Sequence, residues 1–288
     1  MTTVEPAAPT SEAAAPADPA DLADLAALRE VVGRYGALVI AFSGGADSAL
    51  LAAVATEVLG ADRVRCVTAV SPSLPADELD GCRSFAEARG LTWSVVHTDE
   101  LDDPAYRAND ADRCFHCKDA LASALAPIAV AASATIALGV NVDDLGDHRP
   151  GQRAAAEAGA VFPLVEAGLT KDRVRAISRH LGLETADKPA AACLASRVPY
   201  GTPVTLEVLR GVEAAEAGLR RLGFASLRVR HGADTARIEV PLDELAEVVA
   251  RREAVVAVVH AAGYRYVTLD LEGFRSGNLN AGLSIERR

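Results

Sequence analysis

Six consecutive residues, Ser43-Gly44-Gly45-Ala46-Asp47-Ser48, carry the densest chemistry in the sequence. Paired glycines let the backbone take positive φ and approach a bound group closely. The apolar run Ala37 to Phe42 before them predicts a buried strand, and the Ala-rich stretch Ala49 to Leu59 after them predicts a helix. A strand that breaks at glycines and restarts as a helix gathers several N–H groups around one point. The helix dipole adds partial positive charge there, so the loop suits an anion such as a phosphate. Ser43 and Ser48 add hydroxyl donors, and Asp47 is placed to bind Mg²⁺ or to cap the helix. No Gly-Lys-Ser/Thr follows the glycines, so this is not a Walker loop. The plainer alternative is an ordinary strand-to-helix turn, for which Ser, Gly and Asp are common residues.

The second chemical stretch is Arg113-Cys114-Phe115-His116-Cys117-Lys118, placed by its pattern just before a helix. A Cys-x-x-Cys pair can chelate zinc, form a redox disulfide or ligate an iron–sulfur cluster. Zinc normally takes four protein ligands, and the sequence has no second such pair. A third marked cysteine lies in Lys188-Pro189-Ala190-Ala191-Ala192-Cys193-Leu194-Ala195-Ser196-Arg197. Three thiolates from Cys114, Cys117 and Cys193 leave one iron of a four-iron cube open, free to hold an extra sulfide or substrate. The competing reading is a fortuitous thiol pair with Cys193 in the core. Cys66 in an apolar strand and Cys82 on a helix read as core or surface thiols. His116 and His148 have no evident partner, and Trp93 reads as core.

The elements that must position these groups alternate between strand and helix. Leu22 to Gly33 reads as an amphipathic helix, Val64 to Val70 as a strand, and Ala76 to Arg89 as a helix. Then come strand Leu91 to Val96, helix Lys118 to Ala129, strand Thr135 to Leu138 and a short helix Gln152 to Glu157. A fifth strand is expected at Val161 to Val165, before a helix from the cap Thr170 to Leu181. This alternation predicts an α/β fold with a Rossmann-like parallel sheet and helices on both faces, the loop lying at the carboxyl edge of the first strand. From about Thr205 the pattern predicts a smaller C-terminal α/β domain. Its elements are helix Leu206 to Leu222, strands Ser226 to Arg230 and Ala236 to Val240 around a turn, helix Leu242 to Ala262 and strand Tyr266 to Leu269. The expected division is a disordered acidic tail over residues 1–24, one domain over 25–200 and a second over 201–288.

The net charge of the 288 residues is −11, of which Glu5, Glu12, Asp18, Asp21 and Asp24 supply five, leaving about −6 for the rest. An acidic body argues against a nucleic-acid surface. Residues before Arg29 carry no basic group, which a secretory signal would need. No apolar run reads as a membrane span, so no membrane partner is expected. Five cysteines behind no such signal predict a reducing, cytoplasmic setting. Lysine is scarce beside arginine, and Lys118 and Lys188 stand close to cysteines, hinting at a need for a compact ammonium.

The hexapeptide resembles the pyrophosphate loop of the ATP pyrophosphatase superfamily, which splits ATP into AMP and pyrophosphate. In order along the chain come Ser43-Gly-Gly-Ala-Asp-Ser48, Arg113-Cys-Phe-His-Cys-Lys118, Leu138-Gly-Val-Asn-Val-Asp-Asp144, Cys193-Leu-Ala-Ser-Arg197 and Arg228-Val-Arg-His231. Together they resemble the ATP-dependent sulfur transferases of nickel-pincer nucleotide cofactor biosynthesis, over residues 25 to 280. The resemblance implies adenylation of a pyridinium carboxylate of a small-molecule nucleotide, then displacement of AMP by sulfur. It implies ATP and Mg²⁺ at Ser43, Gly44, Gly45, Asp47 and Ser48, with Asp143 or Asp144 as weaker candidates for the ion. Cys193 is implied as the sulfur-handling residue, sacrificed in some members. In members with Cys-x-x-Cys, the positions of Cys114, Cys117 and Cys193 hold a 4Fe-4S cluster, supplied from an unnamed sulfide donor. Homo-oligomeric assembly is also implied.

Arg228 and Arg230 alternate on one strand and so share a face, which suits a phosphate or carboxylate of the substrate. Ser196 and Arg197 are expected to orient substrate beside Cys193, and Arg275 is a further phosphate ligand candidate. Two other enzyme classes compete. A transfer-RNA thiolase joins the same loop to a three-cysteine cluster, and an ammonia-using synthetase of the NAD or GMP type would leave the cysteines incidental. A non-catalytic nucleotide or redox sensor would bind ATP without releasing pyrophosphate.

Overall fold

The structure, a computed structural model, describes residues 18–146, 155–189 and 192–275. At its centre is β1, Leu38–Ala41, with Leu38, Val39 and Ile40 fully buried. A parallel strand covered on both faces reads as an unbroken apolar run, and this one does. Strands β2 (Val64–Val70), β3 (Trp93–His97) and β4 (Thr135–Leu138) complete a parallel sheet in the order β3-β2-β1-β4. The chain steps outward from β1 to β3 and returns to β1's other side as β4. That reversal makes a switch-point crevice at the carboxyl ends of β1 and β4.

Helices α1 (Pro19–Gly33), α2 (Ala46–Leu59) and α3 (Ala76–Arg89) share the main core. Helices α4 (Pro104–Ala108) and α5 (Arg113–Ala132) follow, with α5 packing Leu125 and Ala129 against Val39 and Val67. By length and composition α5 could cross a membrane, contrary to the sequence expectation. Here Leu121, Leu125, Ile128 and Ala129 lie on the sheet instead. The fifth strand expected at Val161 to Val165 is absent. Val161 makes a single bridge to Ala137, and Pro163 then starts α6 (Pro163–Glu166). Proline at the first helical position has its φ preset for a helix and gives up no useful donor. Helix α7 (Lys171–His180) is capped by Thr170, as expected.

Helix α8 (Leu206–Arg221) packs on a second sheet of β5 (Arg228–Gly232), β6 (Thr235–Glu239) and β7 (Tyr266–Leu269). Strands β5 and β6 form an antiparallel hairpin, and β7 joins β6 in parallel. The single helix expected at Leu242 to Ala262 is broken at Arg251 into α9 (Leu245–Ala250) and α10 (Arg252–Ala261). The second core also takes in Tyr106, Leu194, Ala195 and Val198 from earlier in the chain.

The tail expected over residues 1–24 overlaps α1. Asp18 caps that helix, and Asp21 and Asp24 both pair with Arg173 of α7. Three charges assigned to a tail therefore belong to the folded body. Residues 1–17, His148, the start of the Gln152 to Glu157 helix, Ala190 and Ala191, and the chain after Arg275 lie outside the described residues.

Candidate active site

Helix α2 starts at Ala46, three residues earlier than the pattern suggested, so Asp47 and Ser48 stand in its first turn. Gly45 is the cap residue and offers no side chain to the first N–H groups. Ser48 closes the loop on itself: its hydroxyl donates to Gly45 O at 3.2 Å and accepts the Ser43 N–H at 3.3 Å. The Ser43 and Ser48 hydroxyls are 3.1 Å apart. Gly44 has φ +66°, and a Cβ there would fall 2.7 Å from the Cys82 sulfur. Cys82 is therefore a buried thiol wedged beneath the loop. From the opposite strand Gly139 comes so close that a Cβ would sit 2.6 Å from the Ser48 N atom. These two glycines are required by space as well as by conformation.

Asp47 forms an ion pair with Lys171 Nζ and accepts a hydrogen bond from Asn141 Nδ2 at 3.1 Å. Its carboxylate thus occupies a place that suits a cation. Asn141 organises the loop after β4: its Oδ1 accepts the N–H groups of Asp143 and Asp144, and its own N–H donates to Asp144. Asp143 accepts the Lys171 N–H at 2.7 Å and so caps α7. Neither Lys171 nor Asn141 was assigned a role from sequence. Lysine scarcity was a usable signal, but it pointed to the lysines near cysteines. The structure brings Lys171 and Lys188 to the loop, while Lys118 lies near Cys117.

Helix α5 begins at Arg113, so Cys114 and Cys117 lie within its opening turns rather than before it. Three residues apart, they face the same side. Cys193 immediately precedes a 3-10 turn at Leu194–Arg197 and, like Cys117, packs against the second core. Burial pushes the Cys117 thiol up to about 11; Lys118 opposes this, while Cys193, Glu100 and Cys114 add to it. The three thiols are thus close enough to feel one another's charge. Among the described residues, no three His, Cys, Asp or Glu side chains converge to hold a single metal ion.

A buried cation lies beside these thiols. Arg113 donates to Asn109 Oδ1 and to Ala195 O, and its guanidinium stands 5.8 Å from the centre of the Tyr200 ring. Burial opposes its charge, but Cys193 and Cys114 more than offset this and hold it above its ordinary value. Behind Cys193 the buried Tyr106 hydroxyl lies 2.6 Å from Ser73 Oγ, and Ser73 O accepts the Leu194 N–H. His116, left unassigned from sequence, lies 3.0 Å from Asp103 and 3.6 Å from Asp112.

The arginines divide. Arg197 is 2% exposed and committed: it grips both oxygens of Glu216 and donates to Ala192 O, Cys193 O and Ser196 Oγ. As placed, it braces the Cys193 turn instead of reaching toward substrate. Ser196 does the same, donating to Cys193 O at 2.7 Å. Arg230 pairs with Glu239 and donates to Ser196 O. Arg228 lies over the Phe274 ring, and burial lowers its pKa to about 10, with Arg197 adding to the effect. Arg275 is exposed and pairs with Glu272, apart from the others. Trp93 flanks the main core and donates to Thr68 Oγ1.

No protein-family model matches the chain. Individual proteins do. It is 45% identical over 260 residues to an uncharacterised protein of Synechocystis sp., covering 89% of this chain and 97% of that one. It is 40% identical over 248 residues to the pyridinium-3,5-bisthiocarboxylic acid mononucleotide synthase of Lactiplantibacillus plantarum, covering 86% and 90%. A more distant likeness, 29% over 198 residues and 61% of each chain, is to a glutamine-hydrolysing GMP synthase of Thermoplasma acidophilum. The chain therefore belongs to the pyridinium-3,5-bisthiocarboxylic acid mononucleotide synthase family.

Proposed function

We propose that the protein uses ATP to replace a carboxylate oxygen of a pyridinium dicarboxylate mononucleotide with sulfur. The observation that carries this reading is the 40% identity to the Lactiplantibacillus plantarum synthase across 90% of that protein. A carboxylate resists a sulfur nucleophile through its charge and resonance. Transfer of AMP to one oxygen gives it a good leaving group and releases pyrophosphate. The loop N–H groups and the α2 dipole stabilise charge on that departing pyrophosphate, and the Lys171 ammonium adds to the field. Asp47 is the residue that would hold Mg²⁺, which when bound shares in neutralising the phosphates. Residues 25–200 handle ATP on this reading, and residues 201–288 the substrate nucleotide and assembly into a homo-oligomer.

Arg228 and Arg230 serve the substrate phosphate. Arg197, Arg220, Arg228 and Arg230 crowd together, and an anion beside Arg228 relieves their mutual repulsion. Cys114, Cys117 and Cys193 would hold a 4Fe-4S cluster, which when bound supplies a transferable sulfide at the iron that lacks a protein ligand. The donor set fits: three thiols that sense one another, with buried Arg113 offsetting their charge. The Arg197 and Ser196 hydrogen bonds fix the Cys193 turn. The protein works in the cytoplasm, and its product feeds the nickel-pincer cofactor of lactate racemase.

The test of substrate class is AMP and pyrophosphate formation from ATP on adding the pyridinium dicarboxylate mononucleotide, transfer RNA, or ammonia with an acid acceptor. The reading expects turnover with the first alone; turnover only with transfer RNA or ammonia contradicts it.

A further inference from the structure

One lysine near the loop has no part in the chemistry above. Lys188 Nζ donates to the carbonyl of Gly44 at 3.1 Å and to Glu78 Oε2 of α3 at 2.7 Å. Both side chains are mostly buried. Gly81 lets the ammonium lie over α3, since a Cβ there would come within 3.6 Å of it. The same flank of the loop is filled by the Cys82 sulfur beneath Gly44.

In a trans peptide the carbonyl and the following N–H point in opposite directions, and no described peptide is cis. Holding the Gly44 oxygen toward Lys188 and α3 therefore turns the Gly45 N–H to the loop's other flank. Among the described residues, the N–H groups of Gly44 and Gly45 donate no hydrogen bond. A peptide between two glycines reorients at little steric cost. If this one turned over, it would present a carbonyl oxygen where a phosphate needs a donor.

We infer that Lys188 is a positioning residue of the loop: through the Gly44 carbonyl it keeps the Gly45 N–H turned toward a bound anion, and Glu78 anchors its ammonium. This rests on the reading of the loop as a pyrophosphate site. It differs in sign from the obvious alternative, a lysine that grips the phosphate itself. If Lys188 were a direct ligand, Glu78 would compete with the anion, and removing its charge would tighten binding. If Lys188 positions the peptide, removing Glu78 frees the ammonium from its anchor and weakens binding.

The experiment is calorimetric titration of inorganic pyrophosphate with Mg²⁺ into the full chain and its Lys188→Met, Lys188→Arg and Glu78→Gln variants, with thermal unfolding confirming that each is folded. One oriented hydrogen-bond donor lost predicts about tenfold weaker binding in Lys188→Met. Lys188→Arg, still a donor, stays within about threefold of the parent, and Glu78→Gln weakens binding. Parent-like affinity in Lys188→Met, or tighter binding in Glu78→Gln, overturns the inference while leaving the loop reading intact. No binding by the parent overturns both. Should Lys188→Met fail to fold, the sign of the Glu78→Gln change decides.

Discussion

The Arg197 guanidinium and the Glu216 carboxylate, 2% and 0% exposed, meet through two contacts of 2.8 and 3.0 Å. Glu216 also accepts the Val229 N–H and pairs with Arg220, while Arg197 holds the carbonyls of Ala192 and Cys193. One buried pair thus ties α8, β5 and the Cys193 turn together. Removing one partner leaves a buried charge uncompensated, so Glu216→Gln is expected to cost about 3–5 kcal/mol in urea unfolding. Burial raises the Glu216 pKa, but Arg197 and its other partners outweigh it and the net shift is downward. A lowered folded-state value contributes stability that is present above the unfolded value, about 4.3, and is lost as pH falls through the folded one. Unfolding at descending pH should show that loss in the parent and not in Glu216→Gln.

Asp47 sits at the loop mouth between Lys171 and Asn141. Asp47→Ala removes the carboxylate proposed for the cation and frees Lys171. The expected result is a fall of at least about 100-fold in pyrophosphate formation, with the melting temperature nearly unchanged because the pair is only partly buried. Parent-like turnover in Asp47→Ala contradicts the role given to this carboxylate.

Gly139 passes so close to α2 that any side chain meets the Ser48 amide. Gly139→Ala must push the strand end and the helix start apart, at about 1–3 kcal/mol. Nucleotide binding should suffer more than stability, because the displaced N–H groups belong to the loop. Paired measurements of ATP affinity and urea midpoint check this, and an affinity unchanged by the substitution counts against it.

Protein purified and reconstituted without oxygen should carry about four irons and matching acid-labile sulfide, the content of one 4Fe-4S cluster. Cys114→Ala, Cys117→Ala and Cys193→Ala should each lose most of it. Parent protein that takes up no iron would contradict the cluster, and Cys193 would then be examined for loss of one sulfur as a sacrificial donor.

Local signals made much of this legible. Apolar strands, paired glycines and the Thr170 cap announce themselves over a few residues, so β1, β4, β7 and the loop could be read directly. The start of α5 could not, because Cys, Phe and His are weak helix formers and only packing makes Arg113 to Cys117 helical. Pro163 was the missed sign against a fifth strand. At the site, Asn141, Lys171 and Lys188 reach the loop from 94, 124 and 144 residues away. No spacing rule predicts contacts at such separations. Arg197 was misjudged for a related reason: its type suggested a substrate ligand, but its partner Glu216 comes from a helix whose packing the sequence does not display.

The central claim is sulfur insertion into an activated carboxylate. The most direct measurement combines the anaerobically reconstituted protein with ATP, Mg²⁺, sulfide and the pyridinium dicarboxylate mononucleotide, and follows nucleotide and product by mass spectrometry. The account predicts product heavier by the difference between sulfur and oxygen, with one AMP and one pyrophosphate formed per sulfur inserted. AMP and pyrophosphate released with the substrate returned unchanged, or sulfur inserted without ATP cleavage, would contradict it.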